Sequence, residues 1–188
     1  MLRTRIGTLM LLSLYTYPAE AFLKLIPVIS KIVIKDNTNI INVTRILNNA
    51  DTLMQQTVTF EMEIHRDIKD MKATFSYYVV GLDGSSLNHI ITRTVDVCAF
   101  VKRPTMDRFV KKFYDEMQRN NRIPTKCPIA KGSYYIRDVK PTSVQLPGIF
   151  PESGFAFDNY YYTGINSEPL VECRFYGRLT RVSDEMLA

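Results

Sequence analysis

The chain has 188 residues, with 24 Lys and Arg against 19 Asp and Glu, for a formal charge of +5. The basic residues are dispersed, with no run resembling a nucleic-acid arm, so nucleic acid is set aside as a partner. A mild positive excess keeps the chain soluble and biases it weakly toward anionic surfaces.

The N-terminus reads as an export signal. Arg3 and Arg5 precede an uncharged apolar run, Ile6 to Tyr15, and Ala19-Glu20-Ala21 has the small-x-small form of a cleavage site. Cleavage after Ala21 is expected. The run falls short of the roughly twenty residues a membrane span needs. Removing residues 1–21 leaves 22 basic against 18 acidic residues, a charge of +4, on 167 residues. That length fits one domain, 22–188, able to bury about two-thirds of its unfolded surface. No second apolar stretch could span a bilayer, and Arg181 to Ala188 is polar, without the hydrophobic tail of a lipid-anchor signal. A secreted, extracellular domain is expected.

In chain order, Phe22 to Ile34 and Ile40 to Ile46 are plausible strands. The second carries Asn42-Val43-Thr44, a glycosylation acceptor in an exported chain, which would put Asn42 at the surface. From Thr57, Val58, Phe60, Met62 and Ile64 alternate with Thr59, Glu61, Glu63 and His65, the pattern of a half-buried strand. Ala73, Phe75, Tyr77 and Val79 form a second alternating run that ends at the turn residues around Asp83-Gly84-Ser85-Ser86. His89 to Val97 is a third, and the sequential spacing predicts that these three form an antiparallel meander.

The period then changes. Met106, Phe109, Val110, Phe113 and Met117 recur at three- and four-residue steps, predicting one amphipathic helix over about 104–119, with Pro104 in its first turn. Strands return at Ser133 to Val139, Gly154 to Tyr162 and Leu170 to Thr180. In the last, Val171, Cys173, Phe175 and Leu179 share the inward face. The sum is a mainly β fold of α+β character: an antiparallel β-sandwich or cup of about seven or eight strands with one helix.

Three cysteines in an oxidising compartment, Cys98, Cys127 and Cys173, leave one over, and spacing allows three different single bridges.

Several segments are familiar as a set: Thr94-Val95-Asp96-Val97-Cys98-Ala99-Phe100, Lys112-Phe113-Tyr114-Asp115, Lys126-Cys127-Pro128-Ile129, Gly132 to Ile136, and Pro151-Glu152-Ser153-Gly154-Phe155. In order and spacing they resemble the insect family of small secreted proteins of unknown function that includes the CheB chemosensory proteins. The resemblance covers residues 57–180. It implies a fold similar to lipid-recognition cups such as the lysosomal ganglioside activator, and it implies that Cys98 and Cys127 are the paired cysteines. Many members carry further cysteines in the N-terminal third. This chain has none between Phe22 and Val97, and Cys173 is left without a family partner.

No catalytic set emerges. Asp83, Ser85, Ser86 and His89 include triad residue types but crowd onto one turn, Asp96 and Asp115 read as hydrogen-bonding residues at element ends, and no hydrolase, phosphate-loop or zinc motif occurs. No enzyme activity, metal or cofactor is expected. The aromatics give the richer signal, because strand aromatics either fill a solid core or line a cavity. The inward sets expected to line an apolar cavity are Phe60, Met62 and Ile64; Phe75, Tyr77 and Val79; Phe155 and Phe157; and Val171 and Phe175. The leading expectation is a secreted, non-enzymatic binder of an apolar small molecule, a lipid or pheromone, in a chemosensory fluid. The alternative is a solid interaction module that modulates a membrane receptor or channel. Arg103, Arg108, Lys111, Lys112, Arg119, Arg122, Lys126 and Lys131, on or near the helix, would supply its partner surface.

Overall fold

Among the described residues, eight strands and two short α-helices carry the regular structure. The computed structural model describes residues 24–49, 55–81, 86–119, 121–144, 151–164 and 167–182, without the side chains of 108, 109, 112 and 113. The expected export signal, residues 1–21, and the turn residues Asp83 and Ser85 lie outside the described residues. The strands are β1 (Lys24–Asp36), β2 (Ile41–Asn48), β3 (Thr57–Ile64), β4 (Lys72–Val80), β5 (Leu87–Asp96), β6 (Gly132–Val139), β7 (Gly154–Tyr162) and β8 (Pro169–Val182). Two helices, α1 (Val97–Lys102) and α2 (Arg108–Gln118), fall between β5 and β6.

The strands form two antiparallel sheets, five-stranded β1-β8-β7-β4-β5 and three-stranded β2-β3-β6. The fold class is the expected one, a sandwich whose inner faces meet. One connection differs from expectation. β4 and β5 form the predicted hairpin, but β3 does not join them; it pairs with β2 and β6 in the other sheet. The cause is Ile68, which is buried and exchanges two backbone hydrogen bonds with Ile129, at 2.9 and 2.8 Å, pulling the link from β3 to β4 across the sandwich. Alternation reads the same whichever sheet receives a strand.

A register shift in β1 between Ile29 and Lys31 leaves backbone groups unpaired. The buried Gln56 side chain satisfies them: Oε1 accepts from Ile29 N at 2.8 Å, and Nε2 donates to Ile29 O at 2.7 Å and to Asn49 Oδ1 at 2.8 Å. A buried backbone pair without such partners would cost about 1–3 kcal/mol per group.

The expected single helix over 104–119 is instead split. Asp96 caps α1 by accepting from Ala99 N at 2.8 Å, so helix begins at Val97, where a strand was expected to end. A 3-10 turn at Pro104–Met106 follows, and Asp107 starts α2 by accepting from Val110 N at 3.0 Å. Two aspartate caps eleven residues apart make two starts where periodicity suggested one. Met106, expected on the apolar stripe, is 69% exposed in the 3-10 turn. Phe109 and Phe113 belong to the side chains left undescribed.

Cys98 in α1 is bridged to Cys127, with their Cα atoms 5.6 Å apart. The Cys127–Pro128 peptide is cis. Cys173 is a free, buried thiol.

The interior holds two apolar clusters. One gathers Leu25, Ile29, Ile32, Val58, Phe155, Cys173 and Leu179; the other gathers Ile40, Ile41, Ile64, Ile68, Ile129, Leu170 and Val171. Ile34 packs on both.

A candidate apolar site between the sheets

The strand register sorts the inner face of the larger sheet into cross-strand rows. One runs Ile91, Tyr77, Phe157, Phe175, Ile32 from β5 to β1. The next runs Arg93, Phe75, Asn159, Cys173, Ile34. On the smaller sheet, Val58, Phe60, Met62 and Ile64 of β3 face inward, flanked in register by Leu47, Arg45, Val43 and Ile41 of β2. The sheets touch through Phe60 and Phe175, whose rings meet edge to face with centroids 5.9 Å apart.

All ten residues expected to line the interior share these inward faces. They divide by exposure. Ile64, Phe155 and Val171 are buried, whereas Phe60, Met62, Phe75, Tyr77, Val79, Phe157 and Phe175 are only half-buried. Phe157 and Phe175 stand on β7 and β8, interior strands of the sheet, and pack against one another at 6.4 Å, with Phe75 stacked on Phe157 at 6.2 Å. Phe157 and Phe175 thus keep accessible surface at the centre of the sheet and are not fully enclosed by neighbouring side chains. The run Tyr160-Tyr161-Tyr162 separates by face: Tyr161 turns inward against Phe75, while Tyr160 and Tyr162 stack on each other outside at 5.2 Å.

Polar groups that the sequence reading did not single out sit among the rings. Asn159 follows Phe155 and Phe157 in inward phase, and its Oδ1 is buried with no hydrogen-bond partner among the described residues. Arg45 occupies an inward position between Val43 and Leu47, and its charge acts on the Cys173 thiol. The only signal for either in the sequence is a polar residue in apolar phase. Arg93, the other arginine on these rows, is ion-paired with Asp107 at 2.5 Å.

Electrostatics follow from enclosure. Burial pushes the Cys173 thiol up to about 12, opposed by Arg45 and reinforced by Asp158. The thiol is therefore neutral near pH 7 and a poor nucleophile. Burial also raises Tyr161, and it raises Tyr77 against the opposing effect of a hydrogen bond with Ser153. Among the described residues, no group of three or more His, Cys, Asp and Glu could hold a metal ion. His89 bonds Thr92 Oγ1 at 2.7 Å on an exposed strand, and Asp96 is occupied as a helix cap.

The remaining expected residues fall elsewhere. Asn42 is exposed on the outer face of β2, in register with Glu63, where a glycan would meet solvent. Of the basic residues near the helices, Lys111 pairs with Asp115, Arg119 with Glu116 at 3.4 Å, and Arg122 lies over the Tyr134 ring at 5.8 Å. The Arg108 and Lys112 side chains are outside the description. Among the described residues no helix is long and apolar enough to cross a membrane.

A family model described as "Protein of unknown function (DUF1091)" matches residues 75–157. That window contains the aspartate-cysteine segment at Asp96–Cys98, both bridged cysteines and the Pro151 to Phe155 segment. No curated protein matches the sequence significantly. Among solved structures, chicken MD-1 complexed with lipid IVa is similar at 12% identity and a TM-score of 0.41, over 82% of this chain and 96% of that one. A Niemann-Pick type C2 protein from Japanese carpenter ant is similar at 14% identity and a TM-score of 0.35, over 81% of this chain and 92% of that one. At these levels the two structures bear on neither ligand nor partner. The family match and the chain's own two-sheet architecture are what stand.

Proposed function

We propose that the chain is a secreted, non-enzymatic binder of an apolar small molecule, lipid- or pheromone-like, held between the two sheets. One observation carries the reading: Phe60, Phe75, Phe157 and Phe175 face the interior from paired strands yet remain half-buried. Ligand sites are mostly apolar with few polar groups, and the inner faces have that composition. Association would draw on apolar burial at about 25 cal/mol per Å², offset by ordering costs. The export-signal pattern of residues 1–21 and the Cys98–Cys127 bridge support an extracellular setting. Resemblance to the insect CheB group supports a chemosensory one.

Native mass spectrometry of the purified protein after exposure to extracted lipids tests the reading. Retention of a ligand at one-to-one stoichiometry is expected, and folded protein that takes up none overturns it. For export, material recovered from medium is expected to begin at Phe22; retention in the cytosol refutes that part.

A specific observation also favours the second reading, a module that docks on a membrane receptor or channel. β5 is an edge strand exposed along nearly its whole length, with Leu87 38%, Ile90 53% and Ile91 57% exposed. Unprotected edges invite pairing with another chain. Under this reading Ile90→Lys abolishes partner capture while circular dichroism shows the fold intact; unchanged capture removes the case for β5.

A further inference from the structure

Among the described residues five large apolar side chains stand exposed, and four of them, Leu87, Ile90, Ile91 and Met106, lie on β5 or beside it. Met106, at 69% the most exposed of them, sits in the 3-10 turn between the two helices. The turn is held near the sheet edge by its next residue, since Asp107 pairs with Arg93 of β5 at 2.5 Å. Cations collect around the same turn. Lys102 and Arg103 directly precede it, and the Cys98–Cys127 bridge draws in two more, because Lys126 adjoins Cys127 and the Lys69 carbonyl lies 3.9 Å from Cys98 Sγ. All four are exposed, and none forms an ion pair among the described residues. The acids of these stretches each face the protein. Asp107 meets Arg93, Asp96 accepts from Ala99 N, Asp67 accepts from Lys131 N, and the Asp70 carboxylate lies against Gly164. The charge directed outward is therefore positive.

We propose that this corner of the molecule docks on a negatively charged lipid surface, with Met106 and Ile90 entering the headgroup layer and Lys69, Lys102, Arg103 and Lys126 meeting lipid phosphates. Apolar residues set among Lys and Arg are the composition of surfaces that lie in a bilayer's headgroup layer, where burial of apolar tips adds to attraction by anionic lipid. A protein partner fits this composition less well, because lysine is depleted at protein–protein interfaces. At a bilayer the lysine stem lies along apolar surface while its charged head stays hydrated among the phosphates. The unpaired backbone of the β5 edge keeps the contact in the wet headgroup layer and out of the hydrocarbon, where such groups would go unsatisfied. The inference concerns the surface alone and holds whether or not the interior takes a ligand.

The test is cosedimentation of the purified, disulfide-bonded protein with vesicles, either of phosphatidylcholine alone or of phosphatidylcholine mixed with phosphatidylglycerol. Partition onto the mixed vesicles and little onto the neutral ones is expected. Lys102→Gln with Arg103→Gln is expected to weaken that partition by about fivefold per charge, so about 25-fold for the pair. Met106→Ser, which removes apolar surface without touching charge, is expected to weaken it about tenfold, the effect of roughly 55 Å² no longer withdrawn from water. Lys31→Gln with Lys35→Gln removes the same charge from exposed positions on β1, at the opposite end of the five-stranded sheet, and is expected to stay within about twofold. Each substituted side chain is exposed, so the variants keep the fold, which circular dichroism checks. Equal partition onto both vesicles, or an equal loss in the β1 pair, overturns the site and leaves only diffuse attraction. Unchanged partition in Met106→Ser overturns the entry of apolar residues. Protein that stays in solution with both vesicles overturns the proposal and leaves this corner to a protein partner.

Discussion

Phe155 and Phe157 are adjacent inward residues on one strand, and truncating each to alanine separates a closed core from a ligand-lined interior. Phe155 is 4% exposed, its ring lies 6.2 Å from that of Tyr77, and it abuts Gly177 so closely that a Cβ there would come within 2.8 Å of the ring. Its surroundings are the Gly177 backbone and the side chains of a packed cluster, which relax only partly into the space. Phe155→Ala is therefore expected to cost about 3–5 kcal/mol, the range for a truncated core phenylalanine. Phe157 is half-buried, with ring neighbours at 6.2 and 6.4 Å. Part of its surface is already accessible, so less transfer energy and less cavity cost are lost on truncation. Phe157→Ala is expected to cost about 2 kcal/mol and to change affinity for a fluorescent fatty acid several-fold. Urea unfolding monitored by circular dichroism gives the stabilities, with equal m-values confirming that the same surface is exposed in each variant. Displacement titration gives the affinities. Equal stability losses with an unchanged affinity in Phe157→Ala would mean that both rings fill one solid core, and the reasoning from exposure would fail.

Replacing Cys98 and Cys127 together by alanine opens a link between residues 29 apart in sequence. On the loop-entropy account this costs roughly 3 to 4 kcal/mol, and a loss below about 1 kcal/mol in denaturant unfolding would refute that account here. At Gly177 an added Cβ would sit 2.2 Å from Val28 O and 2.8 to 2.9 Å from the Phe155 ring. Gly177→Ala is accordingly expected to destabilise by at least the about 1–3 kcal/mol of overpacking, and a neutral result by thermal melting contradicts the close approach of β1 and β8. The Cys173 thiol has an ordinary value of 9.0 and is pushed up to about 12 by burial in the fold. Its contribution to stability is complete below pH 9 and is lost as pH rises from there through about 12, because the unfolded chain releases that proton first. Melting temperatures should fall over this range, less steeply in Cys173→Ala; identical slopes would show that the thiol is not enclosed. Burial of Tyr161 acts in the same direction.

Much of the architecture is written in local pattern. The alternation of Val58, Phe60, Met62 and Ile64, and of Val171, Cys173 and Phe175, marks the inward faces because successive strand residues point to opposite sides. The inward burial of Cys173 follows from the same rule. The helix splits for a local reason as well: Asp96 and Asp107 each accept from a first-turn amide, while the apolar period runs on without marking the break. The assignment of β3 was out of reach for a different reason. It depends on Ile68 meeting Ile129, a contact across sixty residues that leaves no trace in either segment's periodicity.

The candidate site divides along the same line. Residue order by itself determined which side chains face inward, that the interior is aromatic, and which residue types are present for chemistry, since these follow from pleat and composition. Tertiary structure alone decided that Phe157 and Phe175 keep accessible surface, that Arg93 is spent on Asp107 while Arg45 makes no ion pair among the described residues, and that Asn159 lies beside Cys173 with its Oδ1 unpartnered among them. Those facts depend on the separation of two sheets and on the register between strands distant in sequence, and a strand's own pattern specifies neither.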